Sequence, residues 1–517
     1  METNYKGLDI TAFFIILILI LSTLTCGNLL FNTFWGDSTI YLIYAENIAS
    51  GDFFSFNPGE FSSGATSPLW AIMLSIGFIL GNGIIFAKIL GIIFTLLALI
   101  TTFKASDIVT RSKIGSAIGT GFLFNFLILA GLFFYEASLI VCLISILILL
   151  TYYINQNKNN KLLWVLGAVW SLIPLVRPEA MIIVFLNLFV LYFKNRKNRE
   201  FSFKIIIVFL LSFLPSILYF GYSYYKLGLL SSSTYCRMFM SKYTANTYPY
   251  LYFWPINLIF TELTVLMGLF IGTFGLLKSF KDNYFKWLIL FFLACISSFI
   301  LIFTVYSPPL HMIDAKRYIL PIIPFFIIFL GIGISKILST YKFSFNIILI
   351  SLLVLAIVFL PIIGLIDNAI DLKQKNLAFN TITEKNIIEN INSMAEPNAT
   401  ILTFEVQDRF YLRKDLKILS MDGITDGKIA PYLANKDISG FLWKYKPKYW
   451  IANKATSLPF FSDSIFSEVI EKTGQKEGKE IIIDGIKFKN IKIRKDNANS
   501  KFWGYTQIYE LNYISHN

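Results

Sequence analysis

The chain has 517 residues, of which 56% are hydrophobic and only 15% charged, with Phe alone occurring 51 times. No soluble fold has enough interior to hide that much apolar surface, and four cysteines in such a length exclude a disulfide-built secreted scaffold. The net charge of +13 does not point to nucleic acid: residues 1–366 hold 23 Lys and Arg against 13 Asp and Glu, whereas residues 367–517 hold 22 against 19. The excess therefore sits in the apolar part, where cytoplasmic loops collect positive charge, and no basic stripe with interleaved aromatics marks the polar part.

Asp9 and Asp37 bracket an uncharged stretch rich in Ile, Leu and Phe. It is longer than the roughly 20 residues a bilayer span needs and no small-residue cleavage site follows it, so it reads as a signal anchor with a cytoplasmic N-terminus. Further apolar runs cover 84–103, 115–133, 137–154, 162–175, 180–193, 205–222, 259–278, 285–305, 317–335 and 344–365. One more, between Ser67 and Gly83, is too short to span comfortably. If it lies flat on the outer surface, the N-terminus and loops 104–114, 155–161, 194–204, 278–286 and 336–343 are cytoplasmic and carry 16 Lys and Arg, against 7 in the outward loops. If it crosses, the sides exchange and the bias reverses. The positive-inside rule selects the first option, with about eleven spans and an outward C-terminal domain.

Eight of the thirteen carboxylates of the membrane part then face outward: Asp37, Glu46, Asp52, Glu60, Glu136, Glu179, Glu262 and Asp314. Arg177, Arg237, His311, Lys316 and Arg317 go with them. Ionisable groups at span ends are costly unless paired or facing water, and they mark functional sites. The bland alternatives are an N-cap role for Asp37, a local Arg177–Glu179 ion pair, and interface anchoring by Lys316 and Arg317. After residue 366 charge density rises, and short β-branched runs such as 400–404 and 480–483 alternate with helix-like stretches. They predict an α/β domain over 367–517, an accessory or acceptor-binding lid to the α-helical polytopic domain of 1–366. Neither part contains a phosphate-binding glycine loop or a metal motif.

The outward loop at 31–83 reads Trp35-Gly36-Asp37-Ser38-Thr39-Ile40-Tyr41, then Tyr44-Ala45-Glu46-Asn47, Asn57-Pro58-Gly59-Glu60 and Thr66-Ser67-Pro68-Leu69-Trp70. This run resembles the first outward loop of GT-C superfamily glycosyltransferases that use polyprenyl-phosphate sugars. It is most similar to that of the mycobacterial-type arabinofuranosyltransferases and more distantly to those of protein O-mannosyltransferases and aminoarabinose lipid A transferases. Tyr135-Glu136-Ala137, Val176-Arg177-Pro178-Glu179-Ala180, Tyr224-Tyr225-Lys226-Leu227-Gly228, Thr234-Tyr235-Cys236-Arg237, Arg317-Tyr318-Ile319-Leu320-Pro321 and Met421-Asp422-Gly423-Ile424-Thr425 resemble later family segments. The chain departs from the family in having a single acid, Asp37, after Gly36, and an Arg at 237.

The resemblance implies a GT-C membrane fold and transfer of a sugar from a polyprenyl-phosphate donor to an envelope glycan, lipid or protein acceptor, with inversion. A carboxylate takes the proton of the attacking hydroxyl, and Asp37 is the expected base, with Glu136 and Glu179 as further catalytic carboxylates. The departing lipid phosphate gathers negative charge that Arg177, Arg237, His311, Lys316, Arg317 and Lys88 are expected to stabilise. No cofactor is demanded; a divalent cation held by Asp37, Glu136 and Glu179 is one open alternative. A transporter or lipid flippase, and an envelope-glycan polymerase or ligase with a diphosphate-linked donor, are the rival functions. A transporter would concentrate its ionisable groups at the midplane, whereas here they gather at one face. Lys- and Asn-rich usage suggests a low-GC genome, and with it a bacterial inner or plasma membrane. On a cysteine-free background, a thiol at position 200 is expected to be labelled only from the cytoplasm and one at 490 only from outside. The reverse pattern would overturn the flat placement of the stretch after Ser67.

Overall fold

The computed structural model describes residues 2–31, 38–247, 268, 270–274, 277, 293–302, 304, 318–340, 343–374, 382–404, 406–452, 464–474, 476–495 and 505–514. Among them eight helices are long and apolar enough to cross a membrane: Asp9–Leu29, Gly83–Thr110, Lys113–Leu132, Ala137–Asn157, Pro178–Asn195, Arg199–Leu227, Leu320–Leu338 and Ile350–Asp367. A ninth apolar helix, Asn160–Val176, is about 26 Å long at ~1.5 Å per residue, close to the ~30 Å hydrocarbon core. These nine answer nine of the eleven predicted spans; of the other two, 259–278 falls largely outside the described residues and 285–305 is described only over 293–302 and 304. The stretch after Ser67 forms a separate helix, Pro68–Ile79, only ~18 Å long and too short to cross.

The first helices in chain order are α1 (Glu2–Leu29), α2 (Ser38–Ala49), α3 (Pro68–Ile79), α4 (Gly83–Thr110), α5 (Lys113–Leu132), α6 (Ala137–Asn157), α7 (Asn160–Val176), α8 (Met181–Asn195), α9 (Arg199–Ser212), α10 (Leu214–Leu227) and α11 (Ser232–Thr247). In lipid, helices gain little from burying apolar faces on one another, so small residues and shared hydroxyls decide who packs with whom. α5 begins Lys113-Ile114-Gly115-Ser116-Ala117-Ile118-Gly119-Thr120-Gly121, and it is the most enclosed of the spans. α4 and α6 are joined by two hydroxyl pairs one heptad apart, Thr95–Ser138 at 2.9 Å and Thr102–Ser145 at 2.7 Å. Gly131 permits this approach: a Cβ there would lie 1.9 Å from Thr95 Oγ1.

The polar third of the chain builds one six-stranded sheet in the order β2-β1-β3-β6-β5-β4. β1 (Thr400–Thr403) pairs in parallel with β2 (Lys417–Ser420) and β3 (Tyr449–Ala452). β4 (Glu480–Ile483), β5 (Ile486–Lys495) and β6 (Tyr505–Tyr513) complete it with antiparallel pairings. The predicted α/β character is therefore present, as a mixed sheet. One face buries Leu402, Leu419, Trp450, Phe488 and Tyr509 together with residues of the short helices Ala430–Asn435, Ile438–Tyr445 and Ile465–Thr473. The other face, with Ile401, Ile418, Tyr449, Ile451 and Ile508, belongs to the same continuous core as the helical bundle. The sheet is thus seated on the bundle through apolar packing, and helix Leu360–Gln374 runs straight through the predicted boundary at 366/367.

Edge strand β2 is covered by the loop that follows α2. The Asn57 side-chain amide donates to Ile418 O and its carbonyl accepts from Ile418 N, both at 2.8 Å, so one side chain completes the ladder as a neighbouring strand would. Asn57→Ala strands both backbone groups in a buried place, and the variant is expected to lose about 1–3 kcal/mol of stability, read from chemical denaturation in detergent. A wild-type denaturation midpoint would show that water replaces the amide at no cost.

Candidate active site

Three predicted site residues meet at one end of the bundle. The α5–α6 turn is sharp because Phe134 adopts φ 47°, a conformation that costs a bulky residue ~1–3 kcal/mol. The Trp70 indole, carried by α3, donates to Phe134 O at 2.7 Å and holds that turn. The turn delivers Glu136 to the head of α6, buried at 1% exposure. Opposite it, α7 ends at Val176 and the chain reverses through the short 3₁₀ turn Pro178–Ala180, which projects Arg177 and Glu179.

Arg177 lies between the two carboxylates. Its Nη1 is 3.1 Å from Glu136 Oε1, while Nε and Nη2 reach Glu179 Oε1 at 2.6 and 2.5 Å. The guanidinium also sits 5.5 Å from the centroid of the Tyr318 ring, directly after the predicted Arg317. The second oxygen of Glu136 is taken by the Tyr41 hydroxyl of α2 at 2.9 Å, and Tyr41 Oη is 2.6 Å from Thr66 Oγ1. A phenol has one proton, so Tyr41 donates to the carboxylate and Thr66 donates to Tyr41. Lys88, buried in α4, stands beside the turn that carries Glu136: its Nζ is 4.9 Å from the Phe134 ring centroid and 3.4 Å from Leu30 O. Leu30 lies just past the end of α1, at the start of the stretch that leads to Asp37.

Asp37 itself lies outside the described residues, immediately before Ser38, the first residue of α2; His311, Lys316 and Arg317 also lie outside them. Arg237 is placed elsewhere, on α11, where its charge acts on Asp422 of the sheet domain. Burial pushes the Asp422 carboxyl up to about 6 against the opposing pull of the Ser420 hydroxyl, the Ile424 amide and Arg237. Burial likewise raises Asp426, against Lys428. The four cysteines are free and buried. Among the described residues no group of three or more Asp, Glu, His or Cys is arranged to hold a metal ion, and Glu136 and Glu179 both turn onto Arg177.

A second polar junction joins the first loop to the sheet domain, and apart from Glu60 its side chains were not among the expected site residues. Tyr44, one turn after Tyr41 on α2, bonds the Ser62 hydroxyl, and Ser62 bonds Thr425 O. Gly64 N donates to Tyr44 Oη at 2.9 Å, and a Cβ on Gly64 would lie 2.6 Å from the Thr425 Cα. Ser232 at the start of α11 donates its amide to Ser63 Oγ at 2.9 Å and its hydroxyl to Ile424 O at 3.1 Å. Glu60 bridges Lys417 at 2.7 Å and Lys428 at 2.9 Å. Burial opposes its ionisation, but the two lysines outweigh burial and hold Glu60 below the usual carboxylate range. Tyr41, Tyr44, Asn57, Glu60 and Thr66 all stand in the motif-bearing first loop, and the i, i+3 spacing of the two tyrosines was the available signal for a shared face.

The chain matches no family model and no curated protein. In structure it is similar to ArnT from Cupriavidus metallidurans bound to undecaprenyl phosphate, with a TM-score of 0.56 and 12% identity over 96% of this chain and 98% of that one. The apo state of the same enzyme gives 0.52 and 11%, over 96% and 97%. The chain has a GT-C fold. At this identity it is the fold that is shared, and it is shared end to end, sheet domain included. ArnT falls in the aminoarabinose lipid A transferase branch, the branch that the sequence motifs resembled more distantly.

Removing Arg177 leaves two sheltered carboxylates facing each other. Arg177→Ala is expected to lose about 3–5 kcal/mol of stability, whereas Glu179→Gln, at the more open end of the cluster, costs less. Arg177→Lys is expected to fall between Ala and wild type, since an ammonium cannot span both partners. Equal stability of Arg177→Ala and wild type would remove the cluster from its structural role.

Proposed function

We propose that this chain is an integral membrane glycosyltransferase that takes a sugar from a polyprenyl-phosphate donor and transfers it to an envelope glycan, lipid or protein acceptor. The observation that carries this is the likeness over 96% of the chain to a GT-C enzyme structure holding undecaprenyl phosphate, combined with the convergence of Glu136, Arg177 and Glu179 beside the motif-bearing loop. We place that end of the bundle on the extracytoplasmic side of a bacterial inner or plasma membrane, following the charge bias of the loops.

In this reading Asp37, at the entrance to α2, is the base that takes the proton of the acceptor hydroxyl as it attacks the anomeric carbon with inversion. Such assistance is worth about 10²–10⁴ in rate. The bond from the anomeric carbon to the donor phosphate breaks as the new glycosidic bond forms, and the phosphate leaves carrying the electron pair. Lys88 and Arg177 flank the 133–136 turn and are the described cations best placed to stabilise it, with Arg237, His311, Lys316 and Arg317 as the remaining candidates. Glu136 and Glu179 hold the Arg177 fork in place, and a divalent cation is not required by these roles.

The test is sugar release from a panel of polyprenyl-phosphate sugars by the protein in lipid, beside its Asp37→Asn variant. Turnover of one donor, reduced at least ~100-fold in a variant that still folds and inserts, is the expected result. Wild-type turnover in Asp37→Asn would remove Asp37 as the base. Turnover of a diphosphate-linked oligosaccharide, with no monophosphate donor used, would instead make the chain a polymerase or ligase.

A further inference from the structure

Two hydroxyl chains start from one face of α2 and run in opposite directions. Tyr41 leads to Glu136, and Thr66 stands behind it. Tyr44 leads through Ser62 to the carbonyl of Thr425 in the sheet domain. Burial pushes the Tyr44 phenol well above its ordinary range, so Tyr44 keeps its proton and is a donor. Ser62 spends its own proton on Thr425 O, so the Tyr44 proton must go to Ser62, and the direction of the chain is determined.

Both chains close on the same few residues. Ser62 and Thr66 are four apart in one loop, and between them Gly64 is pressed against Thr425 and Ile424 with no room for a side chain. Ser63 is held from the other side by Ser232. Tyr41, Tyr44, Ser62 and Ser63 are all buried, so none of these bonds can be exchanged for water without moving the loop.

We propose that Tyr44 and Ser62 are positioning residues for the site: by locking the 62–66 loop onto the Ile424–Thr425 backbone, they set where Thr66 and Tyr41 stand, and through them the orientation of Glu136 and Arg177. The sheet domain is then part of the active site's frame, beyond its role as an accessory or acceptor lid. The proposal rests on the glycosyltransferase reading only for its kinetic readout.

Ser62→Ala and Tyr44→Phe each delete one hydroxyl without adding volume. Amide hydrogen exchange in lipid is expected to rise in both variants at 60–66 and also at 133–137 and 176–180, to which neither residue is hydrogen-bonded. With a working donor, kcat is expected to fall roughly 10- to 100-fold at nearly constant KM, as misplacement of a catalytic frame does. A rise confined to 60–66 and 420–428 would overturn the proposal, and so would unchanged kcat. A fall in kcat with wild-type exchange at 133–137 would equally overturn it. If the wild-type protein turns over no donor, the functional reading fails, while the exchange pattern alone still decides the coupling. Should Ser62→Ala not fold, Tyr44→Phe decides it, since Ser62 keeps its bond to Thr425.

Discussion

A guanidinium shielded from water must be neutralised, and so must every carboxylate brought to it. Arg177 and Glu136 are both almost fully buried, so each needs the other, and the remaining valences of the cluster must find partners as well. That requirement accounts for much of the surrounding architecture. Glu136 needs a second donor, which α2 supplies through Tyr41; the remaining N–H groups of Arg177 need a second acceptor, which the turn after α7 supplies through Glu179. The strained Phe134 turn and the Trp70 bond that holds it are intelligible as the means of bringing Glu136 to this position. A helix too short to cross a membrane therefore has a definite use: α3 carries the indole that fixes the α5–α6 turn.

The same logic governs the junction with the sheet domain. Asn57 satisfies the exposed edge of β2, Glu60 gathers two lysines from the sheet domain, and Gly64 admits the backbone of Thr425. The loop has no regular structure of its own beyond an isolated bridge between Ser55 and Phe61. Its order comes from partners on both sides: Phe54 and Phe61 stand edge-on against Tyr219 and Tyr222 of α10, and the polar residues face the sheet domain. Segments that looked like separate motifs in the sequence, Asn57-Pro58-Gly59-Glu60, Thr234-Tyr235-Cys236-Arg237 and Met421-Asp422-Gly423-Ile424-Thr425, belong to elements that meet at this one junction.

Most of the fold was legible because its determinants are local. Apolar runs about as long as the bilayer is thick announce their helices, and the short run after Ser67 was separable by length alone. Glu136, Arg177 and Glu179 could be chosen because ionisable groups are conspicuous in an apolar chain and the charge bias of the loops put them on one side. Tyr41, Tyr44, Ser62 and Thr66 were passed over for the opposite reason. A hydroxyl is unremarkable in sequence, and its part depends on a partner 95 residues away for Tyr41 and 363 for Ser62. Arg237 also acts on a group that sequence distance concealed: its charge bears on Asp422, 185 residues on.

The bond between Asn57 and Ile418 spans 361 residues. At ribosomal rates of ~5–20 residues per second, roughly 20 to 70 seconds separate the synthesis of its two ends. Throughout that interval the first loop is already made while the strand and carbonyls that satisfy its buried polar groups do not yet exist. The loop must wait in an unfinished state, open to proteases and quality control, until the last quarter of the chain arrives to close it. A lesion in β2 or in the 424–428 segment would then act far upstream, on the loop synthesised first.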